Sequence, residues 1–195
     1  LLAKVNECLE LLEPLDARVR LPLLELSVPA LRQLSESEKE GFLGVYRGLM
    51  EADEEVHLFE FAIERFLSAS MEQQPAPAPQ YYSMRALSDP ISLLLSAIAW
   101  SGARQEEAAG ECFESGRKVL RAVEHELDFR ARERCDLESV GAAIDRLALA
   151  SPHMKKQIIT ACAECILADE TVLVSEAELL RAVAASLDCP MPPLV

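Results

Sequence analysis

Residues 31–67 read LRQLSESEKEGFLGVYRGLMEADEEVHLFEFAIERFL, and residues 147–183 read LALASPHMKKQIITACAECILADETVLVSEAELLRAV. One constant offset lays the first stretch on the second without a gap. Leu31, Ser35, Lys39, Ala52, Asp53, Glu54, Val56, Glu60 and Arg65 then fall on Leu147, Ser151, Lys155, Ala168, Asp169, Glu170, Val172, Glu176 and Arg181. Internal repetition of this length points to a fold assembled from copies of one supersecondary element.

Helical periodicity extends outward from both copies. Leu24, Val28 and Leu31 precede the first, and Val140, Ile144 and Leu147 precede the second, so each copy opens with a helix. Ser35 with Glu38 three residues later forms a capping box, whereas the second copy offers Ser151 as cap and Pro152 at the first helical position. The next helix carries an apolar stripe of Phe42, Leu43, Tyr46, Leu49 and Met50, matched by Ile158, Ile159, Cys162, Cys165 and Ile166. Both copies then reach an Ala-Asp-Glu corner and a third helix through Ile63 and Leu67, or Leu179 and Val183, with Ser175 and Glu178 as its cap in the second copy.

Between the copies, Gln73 to Gln80 reads QQPAPAPQ, whose alternating prolines deny the chain a helix and mark a spacer. Asp89-Pro90 opens an apolar helix to Trp100, Gly102 breaks it, and Gln105 to Asp128 has the pattern of one long amphipathic helix. Strand signals are nearly absent. The expected architecture is therefore all-α: a first helical unit over 1–74, a Pro-rich linker over 75–90, central helices over 91–134 and a second, related unit over 135–195.

At 195 residues the chain can bury a real core without disulfide staples, and six cysteines without regular close spacing read as free thiols in a reducing compartment. Aromatics are only 5%, which leaves Leu, Ala, Ile and Val to fill that core. The excess of 33 Asp and Glu over 19 Lys and Arg gives a net charge of −14, which repels phosphate backbones and argues against nucleic acid as a partner. The apolar run Ile91 to Trp100 is about half of what a membrane span needs. Leu1 to Leu12 lacks a basic leader and a cleavage site, so it does not read as a signal peptide. A first residue of Leu rather than Met suggests a piece of something longer.

No complete catalytic constellation is legible. His125-Glu126-Leu127-Asp128-Phe129 comes near the HExxH helix of zinc proteases, but Phe129 stands where the second ligand belongs. Cys162 and Cys165 form a CxxC inside a helix, at positions the other copy gives to Tyr46 and Leu49, and read as buried packing thiols. His57 and His153 have no Cys or His at ligand spacing. The acidic corners gather carboxylates that suit hard cations, and Asp53, Glu60, Asp169 and Glu176 are the candidate ligands for a weak divalent cation. The competing reading gives Asp the loop amides and Glu the first turn of the next helix, where the dipole favours a negative charge.

Three blocks, LPLLELSVPALRQLS (Leu21 to Ser35), EADEEVHLFEFAIERFL (Glu51 to Leu67) and LADETVLVSEAELLRAVAASLDCPMPPL (Leu167 to Leu194), resemble the cytosolic C-terminal region of bacterial HtpX-like membrane zinc metalloproteases. The corners are similar to the TerB-like helical module of tellurite-resistance proteins, with Glu54 and Glu170 where that module has Gly. The resemblance implies a non-catalytic accessory domain on the cytoplasmic side of the bacterial inner membrane. Its zinc and transmembrane helices would belong to an upstream protease part, and its partners would be that part, a protein substrate or itself. The alternative expectation is a freestanding TerB-like metal-responsive module.

Overall fold

The computed structural model describes residues 2–16, 19–52, 58–71, 78–169, 172 and 174–190. Within them the chain forms nine α-helices and no strand: α1 (Leu2–Leu12), α2 (Arg20–Leu31), α3 (Glu36–Ala52), α4 (Leu58–Met71), α5 (Ser88–Gly102), α6 (Glu106–Val119), α7 (Leu137–Ala148), α8 (Pro152–Ile166) and α9 (Val174–Ser186). The offset of the sequence repeat carries Glu36 onto Pro152 and Leu58 onto Val174, the first residues of α3 and α8 and of α4 and α9. Helices α2, α3 and α4 thus correspond in order to α7, α8 and α9.

Local chemistry explains the boundaries. Ser35 and Glu38 cap α3 reciprocally: the Ser35 backbone N–H donates to the Glu38 carboxylate at 2.8 Å, and the Glu38 backbone N–H donates to the Ser35 hydroxyl at 3.4 Å. Asp136 caps α7 by accepting the Ser139 N–H at 2.8 Å. Glu106 and Glu107 begin α6 while Arg117 and Lys118 end it, both favourable to the helix dipole.

Three boundaries differ from the sequence reading. Ser151 precedes α8 but makes no side-chain cap, and its backbone N–H donates instead to the Tyr81 carbonyl at 3.0 Å. Helix α9 begins at Val174, which places Ser175 inside its first turn rather than before it. The helix expected to run to Asp128 stops at Val119, and the chain turns through Glu124–Glu126 before extending over 127–130. There Phe129 stacks on Trp100 with ring centroids 5.4 Å apart and packs against Phe113, a contact that a continuing helix would forfeit. Of the proline-rich spacer, 78–80 lack regular structure and 72–77 lie outside the described residues. Helix α5 begins at Ser88, within the range expected as linker.

The core is centred on the second unit. Helix α5 packs on α6, α7 and α8, and α6 lies along α8. Leu94, Leu95, Ile98, Ile144, Leu147 and Ile158 are among its fully buried side chains, so aliphatic residues do fill the interior as composition required. The first unit joins through its third helix, with α4 against α9. Phe61 of α4 sits close over Gly141 of α7, and Arg65 forms an ion pair with Asp145. No described helix is long and apolar enough to cross a membrane.

One part of the apolar stripe expected on α3 is corrected. Phe42, Leu43 and Tyr46 pack against the core, but Leu49 is 68% exposed, whereas its counterpart Cys165 is buried. The cause is tertiary: α6 covers α8 at that position, and nothing described covers α3 there.

Candidate functional site

Of the four carboxylates singled out in the sequence, Glu60 and Glu176 have described side chains. Asp53 lies outside the described residues, as does the side chain of Asp169, whose backbone closes the 3-10 turn Leu167–Asp169 that follows α8. Glu60 and Glu176 occupy matching places in the first turns of α4 and α9, where the helix dipole favours a carboxylate. Both carry interactions of their own. Among the described residues, no group of His, Cys, Asp and Glu has the disposition to hold a metal ion.

The two corners differ in their surroundings. In the first, the Tyr46 hydroxyl donates to the Glu60 carbonyl at 3.1 Å. Burial, reinforced by the charges of Glu60 and Glu64, pushes the Tyr46 phenol up to about 12. In the second, Glu176 is only 7% exposed and borders a cavity of about 360 Å³ where the end of α5, the start of α6, the end of α8 and α9 converge. Gly102, Arg104, Glu111, Cys112 and Ile166 share the lining. A Cβ at Gly102 would collide with the Glu176 carboxylate, so the glycine that ends α5 also makes room for this acid.

The buried thiols have no reactive character. Cys162 is fully buried and its thiol is pushed up to about 12, while Cys165 is raised by burial first and then by Cys162, Cys112 and Glu176. Such groups stay protonated at neutral pH, the opposite of a redox CxxC at a helix N-terminus. Of the HExxH near-match, His125 is exposed in the 3-10 turn and Glu126 pairs with Arg85 at 2.6 Å. His153 is exposed in the first turn of α8, and His57 lies outside the described residues.

Local spacing marks Gly102 only as a helix breaker and gives Arg104, Glu111 and Cys112 no role, because it carries no signal of a cavity formed by four separate segments. Local periodicity likewise puts Leu49 on the apolar stripe of α3, although it is exposed.

The described residues define an all-α fold, with a cavity beside Glu176 whose charged lining is Glu176, Glu111 and Arg104. Compared with known protein families, curated proteins and solved structures, the chain matches none of them.

Proposed function

We infer that this chain is a non-catalytic accessory domain, made of two TerB-like units, of a bacterial HtpX-like membrane zinc metalloprotease. It acts through its surfaces by holding the catalytic part, a protein substrate or another copy. The observation that carries this reading is the repeat itself, with its Ala-Asp corners placed inside sequence blocks that resemble that protease region in order and spacing. The zinc of the family belongs to an HExxH helix, and the only near-match here lacks its second ligand, so no catalytic step is assigned to these residues.

Sequencing the reading frame upstream of the Leu1 codon tests the reading directly. An HExxH motif flanked by apolar twenty-residue stretches is the expected result. An initiator Met directly before Leu1, with neither feature upstream, overturns the protease context.

A second reading, a metal-responsive TerB-like module, draws on the matching placement of Glu60 and Glu176 and on the two carboxylates, Glu111 and Glu176, in the cavity lining. Calorimetric titration with calcium, magnesium and zinc separates it from the first. Heat that disappears in Glu176→Gln supports it, and no heat at millimolar metal discards it.

A further inference from the structure

The cavity beside Glu176 gathers opposite charges without letting them pair. Its rim is exposed at Arg104, Gln105, Ala108 and Glu111, while Ile166 and Glu176 in its floor are only 4% and 7% exposed. Among the described residues, the side chains of Arg104 and Glu111 form no ion pair, with each other or with any third group. One guanidinium and two carboxylates therefore stand apart around the same space.

The backbone makes room for the deepest of these charges. Glu176 sits in the first turn of α9, where the helix dipole favours it, and Gly102 at the end of α5 leaves the space its carboxylate fills, since a Cβ there would collide with it. Glu176 has an interaction of its own, but a carboxylate offers about four acceptor positions, so it can also serve a donor inside the cavity. Between the charges the wall is short and apolar, formed by Ala103, Ala108, Ile166 and Ala168, with the half-buried Cys112 beside them. A volume of about 360 Å³ is that of a small-molecule site, in which a few separated polar groups on apolar walls fix the ligand's orientation.

This pattern selects the ligand by its charges. A simple anion meets two carboxylates, whereas a simple amine leaves Arg104 without an acceptor. A molecule with an ammonium and a carboxylate on a short aliphatic body answers both signs. Depth sets its direction, the ammonium inward and the carboxylate outward, where a guanidinium can take it bidentately. We propose that the cavity bounded by Arg104, Glu111 and Glu176 is a binding site for a short aliphatic amino acid, seated with its ammonium on Glu176 and its carboxylate on Arg104. The proposal goes beyond both functional readings. The cavity exists whether or not a protease part lies upstream, and Arg104 has no part in holding a metal ion.

Calorimetric titration of the full chain with glycine, L-alanine, L-valine and L-leucine tests it. At least one should bind with a dissociation constant below about 1 mM. The amide of that amino acid lacks the negative charge and its des-amino acid lacks the positive one, and each should bind about tenfold weaker or more. Arg104 is exposed, so Arg104→Gln should keep the wild-type circular dichroism spectrum and urea midpoint while weakening the amino acid about tenfold and leaving the amide unchanged. Glu176→Gln should weaken amino acid and amide alike. Arg121→Gln, exposed beyond the far end of α6, should change nothing. The proposal is overturned if none of the four binds at about 10 mM, if the amide or the des-amino acid binds as tightly as its parent, or if Arg104→Gln leaves binding intact. The metal-responsive reading fails separately, because its heat depends on Glu176 and not on Arg104.

Discussion

Gly116 and Gly48 are both helical glycines, yet substitution should move stability in opposite directions. A methyl at Gly116 meets the Ala161 carbonyl at 2.6 Å in a packed interface, so Gly116→Ala should cost about 1–3 kcal/mol through overpacking. A methyl at Gly44 or Gly48 meets nothing, so either change to Ala should gain about 0.5–1 kcal/mol from helix propensity alone. Urea unfolding monitored by far-ultraviolet circular dichroism reads both signs. Tyr46 offers a pH test at the same scale. Its folded-state pKa is raised to about 12, so the folded protein holds the phenolic proton longer than the unfolded chain does. Its contribution is therefore complete below the unfolded value of about 10 and is lost as pH rises through the folded one. The urea midpoint of wild type should fall further between pH 9 and 12 than that of Tyr46→Phe. Glu38 and Asp136, whose caps hold their carboxyls below the usual range, act in the reverse sense. Their contribution is present above about pH 4 and fades as pH falls through their depressed values.

At the scale of one element, α5 shows how two hydroxyls anchor a loop to an apolar helix. Ser92 donates to the Ser88 carbonyl at 2.8 Å and accepts the Asp128 N–H at 3.1 Å. One turn on, Ser96 donates to the Ser92 carbonyl at 2.7 Å and accepts the Arg130 N–H at 2.9 Å. Both serines are fully buried, and between them they satisfy alternate amides of the extended segment that presents Phe129 to Trp100. The Trp100 indole N–H returns a bond to the Arg130 carbonyl at 2.9 Å. Ser96→Ala removes the partner of the part-buried Arg130 amide and should cost about 1 kcal/mol, with Ser92→Ala in the same range. Because both serines anchor one segment, the double substitution should cost less than the sum. A urea double-mutant cycle, with tryptophan fluorescence reporting on Trp100, checks both statements.

Across the whole molecule, burial ranks the six thiols by reactivity. Cys8 is exposed on α1, Cys112, Cys135 and Cys189 are half-buried, and Cys162 and Cys165 are inside. Burial raises the Cys135 thiol to about 11, which further reduces its thiolate at neutral pH. Titration of the native protein with a chromogenic disulfide at pH 7.5 should show one fast thiol that disappears in Cys8→Ser. Cys162 and Cys165 should react only in denaturant. Reaction of Cys162 or Cys165 in the native state would contradict the packing of α6 on α8.

The repeat offset, the helix caps at Ser35 and the order of three helices in each unit were legible because each depends on neighbours in sequence. Periodicity fixes a helix's apolar face, and capping is settled within one turn. The end of α6 was not legible, since Phe129 leaves the helical pattern only to reach Trp100 and Phe113, and no local term records that gain. The cavity beside Glu176 escaped for the same reason, its lining being drawn from four stretches that only folding brings together. By itself the sequence determined the helical class and the repeat that relates its two copies. The tertiary structure decided that they are not equivalent: α6 covers Ala161 and Cys165 on α8, while Val45 and Leu49 stay open on α3, because burial depends on which surface a helix finds in space.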